Sequence, residues 1–328
     1  MRLVYYGTPS LAVPPLERLV ADGRAPDLVV TRRDRPRGRG LKTGRSPVRE
    51  AAESAGIPVT TPARAGSTEE IERIRAIAPD LLVVAAYGQI LPASLLGAAR
   101  IGALNVHYSL LPRHRGASPI AAAILAGDRE TGVTTMWMTE GLDEGPIFQS
   151  LTTPIGADEN VGSLGARLAE LGARCLSETL DRIERGEILR KEQDPTRASY
   201  APKLTTEAGR LALDRSAEEL VRRVRAFTPE PGAYLELRAG RMLVLAAIPG
   251  EEEPSDPTGR RSEPAMSQVA GTILALERER GVRVALPRGS LWLARVRPSG
   301  RRDMGGYDFA NGARLKAGNR LPLAGEPA

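Results

Sequence analysis

Only two histidines, His107 and His114, occur in the 328 residues, and both fall in NVHYSLLPRHRG at 105–116. Near neutral pH the imidazole is the usual proton-exchanging side chain, so an enzyme needing one has two candidates here. An isolated histidine more often packs than reacts, and its surroundings must decide. Asn105 stands two residues before His107 in the apolar run GALNVH, so strand alternation sends both side chains to one face. An asparagine amide can stabilise a developing oxyanion, an effect of about 3–4 kcal/mol when such a donor is removed, or it can simply cap a turn. A carboxylate is needed to fix the imidazole tautomer. Asp143 suits that role, because it follows a β-rich run and the glycines of GLDEG at 141–145 permit a tight loop, with Glu144 as the rival. Asn105, His107 and Asp143 together suit acyl transfer.

Other chemistries lack their usual residues. No GxGxxG follows the first β-prone run, no P-loop occurs, and no paired Cys/His spacing suits zinc, so no metal is expected. Ser109 lies two residues after His107, but nothing resembles the GxSxG elbow of a serine nucleophile. The lone cysteine, Cys175, sits in a half-apolar helical pattern, reads as a buried thiol and can form no internal disulfide, which fits a reducing compartment. The amino terminus lacks the apolar stretch and cleavage site of a signal peptide. The longest apolar run, LLVVAA at 81–86, falls far short of the ~18 residues of a membrane helix. A cytoplasmic protein without a membrane partner is therefore expected. The net charge of +6 points to an anionic partner, nucleic acid foremost, although an arginine-rich composition alone would produce the same surplus.

The elements that must position these residues alternate. RLVYY (2–6), DLVVT (27–31), IPVTT (57–61), DLLVVAAY (80–87), GALNVH (102–107) and GVTTMWMT (132–139) read as strands. Helical patterns intervene at 47–56, 68–77 and 118–127, and Leu164, Leu168, Leu171, Cys175, Leu176, Leu180 and Ile183 mark a long amphipathic helix over 161–185. The pattern predicts an α/β unit, a doubly wound, mostly parallel Rossmann-like sheet over 1–190, with its site at the carboxyl ends of strands. A polar stretch at 191–206 reads as a linker. After a helix at 216–227, five short strand-like runs at 233–238, 242–249, 271–277, 281–287 and 290–298 predict a small OB-like β-barrel within 207–328. GEEEPSDPTGRRSEPAMSQ at 250–268 reads as an exposed loop.

LNVHYSLLPRHRGASPI (104–120) and AGDRETGVTTMWMTEGLDEGPI (126–147) strongly resemble the folate-dependent formyltransferases. YYGTPSLAVPPLERL (5–19), PDLLVVAAYGQILP (79–92), YAPKLTTEAGRL (200–211), FTPEPGAYLEL (227–237), GTIL (271–274) and AGNRL (317–321) extend the likeness over almost the whole chain. The resemblance implies catalytic roles for Asn105, His107 and Asp143. It implies 10-formyltetrahydrofolate as formyl donor, bound by Ser109, Leu110, Leu111 and Pro112 and by the loop Tyr87, Gly88, Gln89, Ile90 and Leu91. It also implies, as acceptor, the α-amine of methionine on initiator methionyl-tRNA, with a monomeric enzyme. Acceptors of the sugar-nucleotide or glycinamide-nucleotide kind, or hydrolysis of the formyl donor, are rival readings within the family; a non-catalytic RNA-binding protein is the rival of another class. The basic loop from Arg32 to Arg45 could be solvated charge alone, but the resemblance implies that Arg35, Arg37, Arg39 and Lys42 meet the tRNA acceptor end, Arg39 above all. Ten basic residues in the carboxy-terminal strands and beyond, Arg295, Arg301 and Arg302 among them, fit a barrel that follows phosphates. Three features depart from the family pattern: His114, where an aromatic residue is usual, Glu144-Gly145-Pro146 after the aspartate, and a longer 250–268 loop.

Overall fold

The computed structural model describes residues 1–37, 42–250 and 269–325, with side chains left aside for 35–43. The chain divides into two compact units, one of residues 1–123, 129–156 and 163–203, the other of 124–128, 157–162 and 204–328.

In the first unit the strands are β1 (Leu3–Gly7), β2 (Leu28–Val30), β3 (Arg35–Arg37), β4 (Lys42–Gly44), β5 (Val59–Thr60), β6 (Leu81–Ala85), β7 (Gly102–His107), β8 (Arg115–Gly116), β9 (Glu130–Trp137), β10 (Ile147–Pro154) and β11 (Tyr200–Ala201). Seven of them form one sheet in the order β10-β9-β7-β6-β1-β2-β5. The five strands from β7 to β5 run parallel, and β9 and β10 extend the sheet antiparallel. The predicted parallel core is thus present, with an antiparallel extension that includes one strand no apolar run announced. β10 buries only Phe148 and then alternates half-buried and exposed positions along IFQSLTTP, as an edge strand does, and so carries a weak apolar signal.

Helices α1 (Val13–Ala21), α2 (Pro47–Ser54), α3 (Thr68–Ile77), α4 (Ala93–Leu96), α5 (Pro119–Ala126) and α6 (Val161–Glu184) connect the strands. Sequence explains their starts. Ser46 accepts the Arg49 N–H ahead of Pro47, and Ser67 accepts the Glu70 N–H. The apolar face of α6 buries Leu164, Leu168, Cys175, Leu176 and Leu180. Gly172 lets that helix lie against β7, since a Cβ there would stand 3.1 Å from Val106 and 3.2 Å from Tyr108. From β1 the chain winds outward to β2 and β5 and then returns to β6 on the other side of β1. That reversal opens a crevice at the carboxyl ends of the central strands, where open α/β sheets bind ligands.

The stretch expected as a linker does not run free. Lys191 bridges Ile147, and β11 pairs with β8, so residues up to 203 stay with the first unit. The basic loop after β2 is a hairpin of β3 and β4 in which Arg37 pairs with Lys42; Arg39 lies outside the described residues. No helix among the described residues is long and apolar enough to cross a membrane.

The second unit contains α7 (Ala217–Phe227), β12 (Tyr234–Leu237), β13 (Gly240–Pro249), β14 (Ile273–Glu277), β15 (Gly281–Ala285), β16 (Ser290–Pro298), β17 (Met304–Gly305) and α8 (Gly306–Gly312). The antiparallel sheet runs β12-β13-β16-β15-β14, with β17 on β16. Its two edges are joined by the chain end: Arg320 bridges Thr272 beside β14, and Leu323 bridges Leu237 of β12. Pairing of this kind covers part of each edge of the sheet. The 250–268 loop lies outside the described residues from 251 onward.

The first core contains an unusual polar group. Ser67-x-x-Glu70 spells a capping box, yet the Ser67 N–H goes to the Arg64 carbonyl and Glu70 turns inward, 2% exposed. Oε1 of Glu70 and the hydroxyls of Tyr6 and Tyr87 are all buried with no hydrogen-bond partner among the described residues. Burial pushes the Glu70 carboxyl above its ordinary value, against the pull of Arg73 and with Glu69 adding to it. Burial also lifts the Tyr87 phenol to about 12, with Glu70 contributing. A carboxyl whose folded value is raised costs stability as pH climbs from its ordinary value of 4.5 through the folded one. Glu70→Gln should therefore stabilise the protein by on the order of 1 kcal/mol at pH 8, with the gain fading toward pH 4.5. Thermal unfolding at both pH values checks this; a variant no more stable than wild type at pH 8 would refute it.

Candidate active site

β7 ends at the crevice, and its alternation places Ala103, Asn105 and His107 on one face, as the sequence predicts. Across the sheet Asn105 pairs with Val84 of β6 and Met136 of β9, and His107 with Thr134 of β9. Both site side chains therefore stand on rigid central backbone rather than on a loop.

Asp143 comes from the loop between β9 and β10. Its Oδ2 lies 3.5 Å from Nδ1 of His107 and accepts the Gly116 N–H at 2.8 Å; its Oδ1 faces the Asn105 amide at 3.4 Å. The loop needs its glycine at 145, where a Cβ would fall 1.9 Å from the Trp137 carbonyl oxygen. The three residues selected by type and spacing are thus brought together. Glu144, the rival carboxylate, points elsewhere: it lies 3.5 Å from Arg115 and accepts the Tyr200 hydroxyl at 3.2 Å.

The tautomer follows from the other nitrogen. Nε2 of His107 lies 3.0 Å from the backbone carbonyl of His114, and a carbonyl can only accept, so Nε2 carries the hydrogen. A neutral ring then turns the lone pair of Nδ1 toward Asp143. Burial holds the imidazole below its ordinary value of 6.5; Asp143 and the His114 carbonyl pull it up, and the second imidazole pushes it down. At neutral pH the site presents a neutral base beside a carboxylate that would stabilise the same ring once protonated.

His114 contributes its backbone while its side chain is buried. Ser109 donates to the Arg113 carbonyl at 2.7 Å and stays wholly buried, so it fixes the turn rather than serving as a nucleophile. Leu110 and Pro112 are partly accessible, while Leu111 is buried. In the second loop Tyr87 and Leu91 pack into the core, and Ile90 is 85% exposed. Gln89 accepts the Ala65 N–H at 3.0 Å, and Gly88 takes a φ of 80° beside Arg32. The backbone groups of Gly88, Gln89 and Ile90 make no hydrogen bond among the described residues. Cys175 is buried and its thiol is pushed up by burial, which suits a packed side chain.

Reasoning from sequence missed the layer behind the site. Arg115, Gln193 and Ser199 all touch the groups that hold His107 and Asp143. Arg115 carried a signal only as a charge in the histidine motif, and Gln193 and Ser199 lie in a polar stretch without periodicity.

A carboxylate set between an amide donor and a buried imidazole, at the carboxyl edge of a doubly wound sheet and followed by a separate antiparallel unit, defines a group-transfer enzyme of the acyl kind. Residues 4–180 match the family model described as formyl transferase and residues 203–314 that of the formyl transferase C-terminal domain, and the chain belongs to this family. It is similar to the methionyl-tRNA formyltransferase of Halorhodospira halophila, 46% identical over 97% of this chain and 98% of that protein. The methionyl-tRNA formyltransferase of Geobacter sulfurreducens is 40% identical over 99% of this chain and 98% of its own. Among solved structures, HypX from Aquifex aeolicus in complex with tetrahydrofolic acid covers 100% of this chain with a TM-score of 0.63 at 20% identity. The chain spans half the length of HypX, 50%. An N-formyltransferase from Helicobacter canadensis in complex with folinic acid and dTDP-3-aminofucose has the same TM-score of 0.63 at 18% identity, over 89% of this chain and 98% of that one. At such identities these structures speak for the fold alone.

With two histidines in the chain, the state of His107 can be read directly by NMR titration. Its midpoint should lie below 6.5, and Asp143→Asn, which removes the charge that pulls it up, should lower it further. A midpoint at or above the ordinary value, or an upward move in the variant, would contradict the geometry.

Proposed function

We propose that the enzyme transfers the formyl group of 10-formyltetrahydrofolate to the α-amino group of methionine carried on initiator methionyl-tRNA, for translation initiation. The observation that carries this reading is the likeness through both units to proteins named methionyl-tRNA formyltransferase, 46% identical over nearly full length. The same reading makes the protein a cytoplasmic monomer, which sedimentation would check.

The residues fit a folate. A pterin edge needs donors and acceptors on otherwise apolar walls, and Gly88, Gln89 and Ile90 offer backbone groups that no described residue uses. Leu110 and Pro112, both partly accessible, supply apolar surface in the turn that follows His107. The folate, when bound, would supply a formyl carbon carried on N10, an aryl-substituted amine nitrogen that can leave.

This chain's residues then do three things. The Asn105 amide donates to the formyl oxygen as negative charge develops there, when the amine adds to the carbon. His107 and Asp143 act as one basic pair: the proton leaving the amine is held between Nδ1 and the carboxylate, while Nε2 stays tied to the His114 carbonyl. Return of that proton to the departing folate nitrogen completes the transfer, with the new amide bond formed and the old carbon–nitrogen bond broken. The rigid placement of Asn105 and His107 on β7 supplies the orientation on which such rates depend.

Recognition of the acceptor falls to cations of the β3–β4 hairpin and of the second unit. Arg35, Arg37, Arg39 and Lys42 are proposed to meet the tRNA end, three of them carried on the two strands of the β3–β4 hairpin. On the barrel, Arg283 is held by Ser290 and Arg297 by Asp303, whereas Arg295, Arg301 and Arg302 are exposed at the end of β16 and in the turn beyond. These three are the cations of that end best placed for phosphates.

Two measurements test the proposal. His107→Ala and Asp143→Ala should each reduce formylation of methionyl-tRNA by at least about 10²-fold. Near-normal turnover in either variant would overturn its assignment. The Michaelis constant for tRNA should rise steeply with salt, by about 0.7–0.9 log units per log unit of salt for each phosphate contact, and Arg37→Ala combined with Arg39→Ala should flatten the slope. A salt-independent constant would remove the RNA role of the loop.

A further inference from the structure

We propose that Gln193 is a positioning residue for the reaction, acting as a clamp that holds the Asp143 loop at the distance and angle His107 requires. The inference rests on the formyl-transfer reading above and adds a residue from the stretch that the sequence suggested was only a connection.

The side-chain amide of Gln193 is fully used. Its Nε2 donates to the backbone carbonyls of Asp143 at 2.9 Å and Gly145 at 2.7 Å, and its Oε1 accepts from Nε and Nη2 of Arg115 at 3.0 and 2.8 Å. Carbonyls only accept and a guanidinium only donates, so chemistry dictates which way the amide faces. Arg115 is buried on β8, next to the Gly116 N–H that holds the Asp143 carboxylate. One glutamine therefore ties the backbone of the Asp143 loop to the strand that grips its side chain.

The clamp acts where the backbone is strained. Asp143 and His114, whose carboxylate and carbonyl face the two nitrogens of His107, both take left-handed conformations, with φ of 53° and 60°. Each such residue costs about 1–3 kcal/mol and persists only where its surroundings over-determine it. The surroundings come from one segment. Gln193 holds Asp143, while Ser199 accepts the His114 N–H at 2.9 Å through its hydroxyl and the Arg115 N–H at 2.8 Å through its carbonyl. β11 then pairs with β8 at Gly116, where a Cβ would fall 2.7 Å from the Ala201 carbonyl oxygen. Residues 193–201 form a strap behind both partners of the imidazole.

Gln193→Met keeps the length and volume of the side chain but removes every hydrogen bond, and Gln193→Glu keeps an acceptor for Arg115 while losing both donors. In the full-length enzyme both variants should lower kcat by about tenfold to a hundredfold, with the KM for the formyl donor and for methionyl-tRNA nearly unchanged. In Gln193→Met the His107 titration midpoint should fall toward that of Asp143→Asn, because the carboxylate is no longer held beside the ring. A Gln193→Glu enzyme with wild-type kcat, or an unmoved midpoint in Gln193→Met, would overturn the clamp. Absence of formyl transfer in the wild type would refute the proposed function instead, and the titration would still judge the clamp.

Discussion

One hydrogen bond governs the site: the Nε2–H of His107 donated to the His114 carbonyl. It decides which nitrogen is left basic, and it points that nitrogen at Asp143. The bond requires a carbonyl directed inward from a residue with a left-handed backbone, just after a proline-containing turn, and it requires the ring to be buried. The turn at 109–112, the β8–β11 pairing and the strap from Gln193 to Ser199 can all be understood as means of keeping that carbonyl and the facing carboxylate in place.

Rigidity of this kind has an energetic cost, which the fold meets locally. Two strained residues face one imidazole, and close backbone approaches at Gly116 and Gly145 admit no side chain. The compensating hydrogen bonds are partly buried, where each is electrostatically stronger than in water and where an unmade bond is expensive. The cluster of Tyr6, Glu70 and Tyr87 lies on the same sheet face as Asn105, in line across β1 and β6. The two hydroxyls and Oε1 of the carboxyl are buried without a hydrogen-bond partner among the described residues, so this part of the core supports the 87–91 loop at a cost in stability.

Chemistry and acceptor recognition are assigned to different parts of the chain. The proposed formyl-transfer centre lies at the carboxyl ends of the parallel strands, a place where many group-transfer enzymes bind small ligands. The hairpin and the antiparallel sheet of the second unit carry the cations proposed to engage RNA. Relatives with the same fold include a protein solved with an amino sugar nucleotide, so the fold alone does not select an acceptor.

Local sequence determined most of the elements and singled out Asn105 and His107 as candidates on one strand. The bounds of α3 and β7 and nearly all of α6 follow from apolar spacing and serine caps, because helix and strand periods are properties of neighbouring residues. Asn105 and His107 share a face for the same reason. β10, β8 and β11 were not legible, since an edge strand and two-residue pairings carry little apolar pattern. The tertiary structure alone decided that Asp143 rather than Glu144 faces the ring, that Tyr87 and Leu91 are core, and that the expected linker is the strap behind the site. Those outcomes depend on contacts between residues from 27 to 85 positions apart, as in Gly116 with Asp143 and His114 with Ser199, and no local period encodes such contacts.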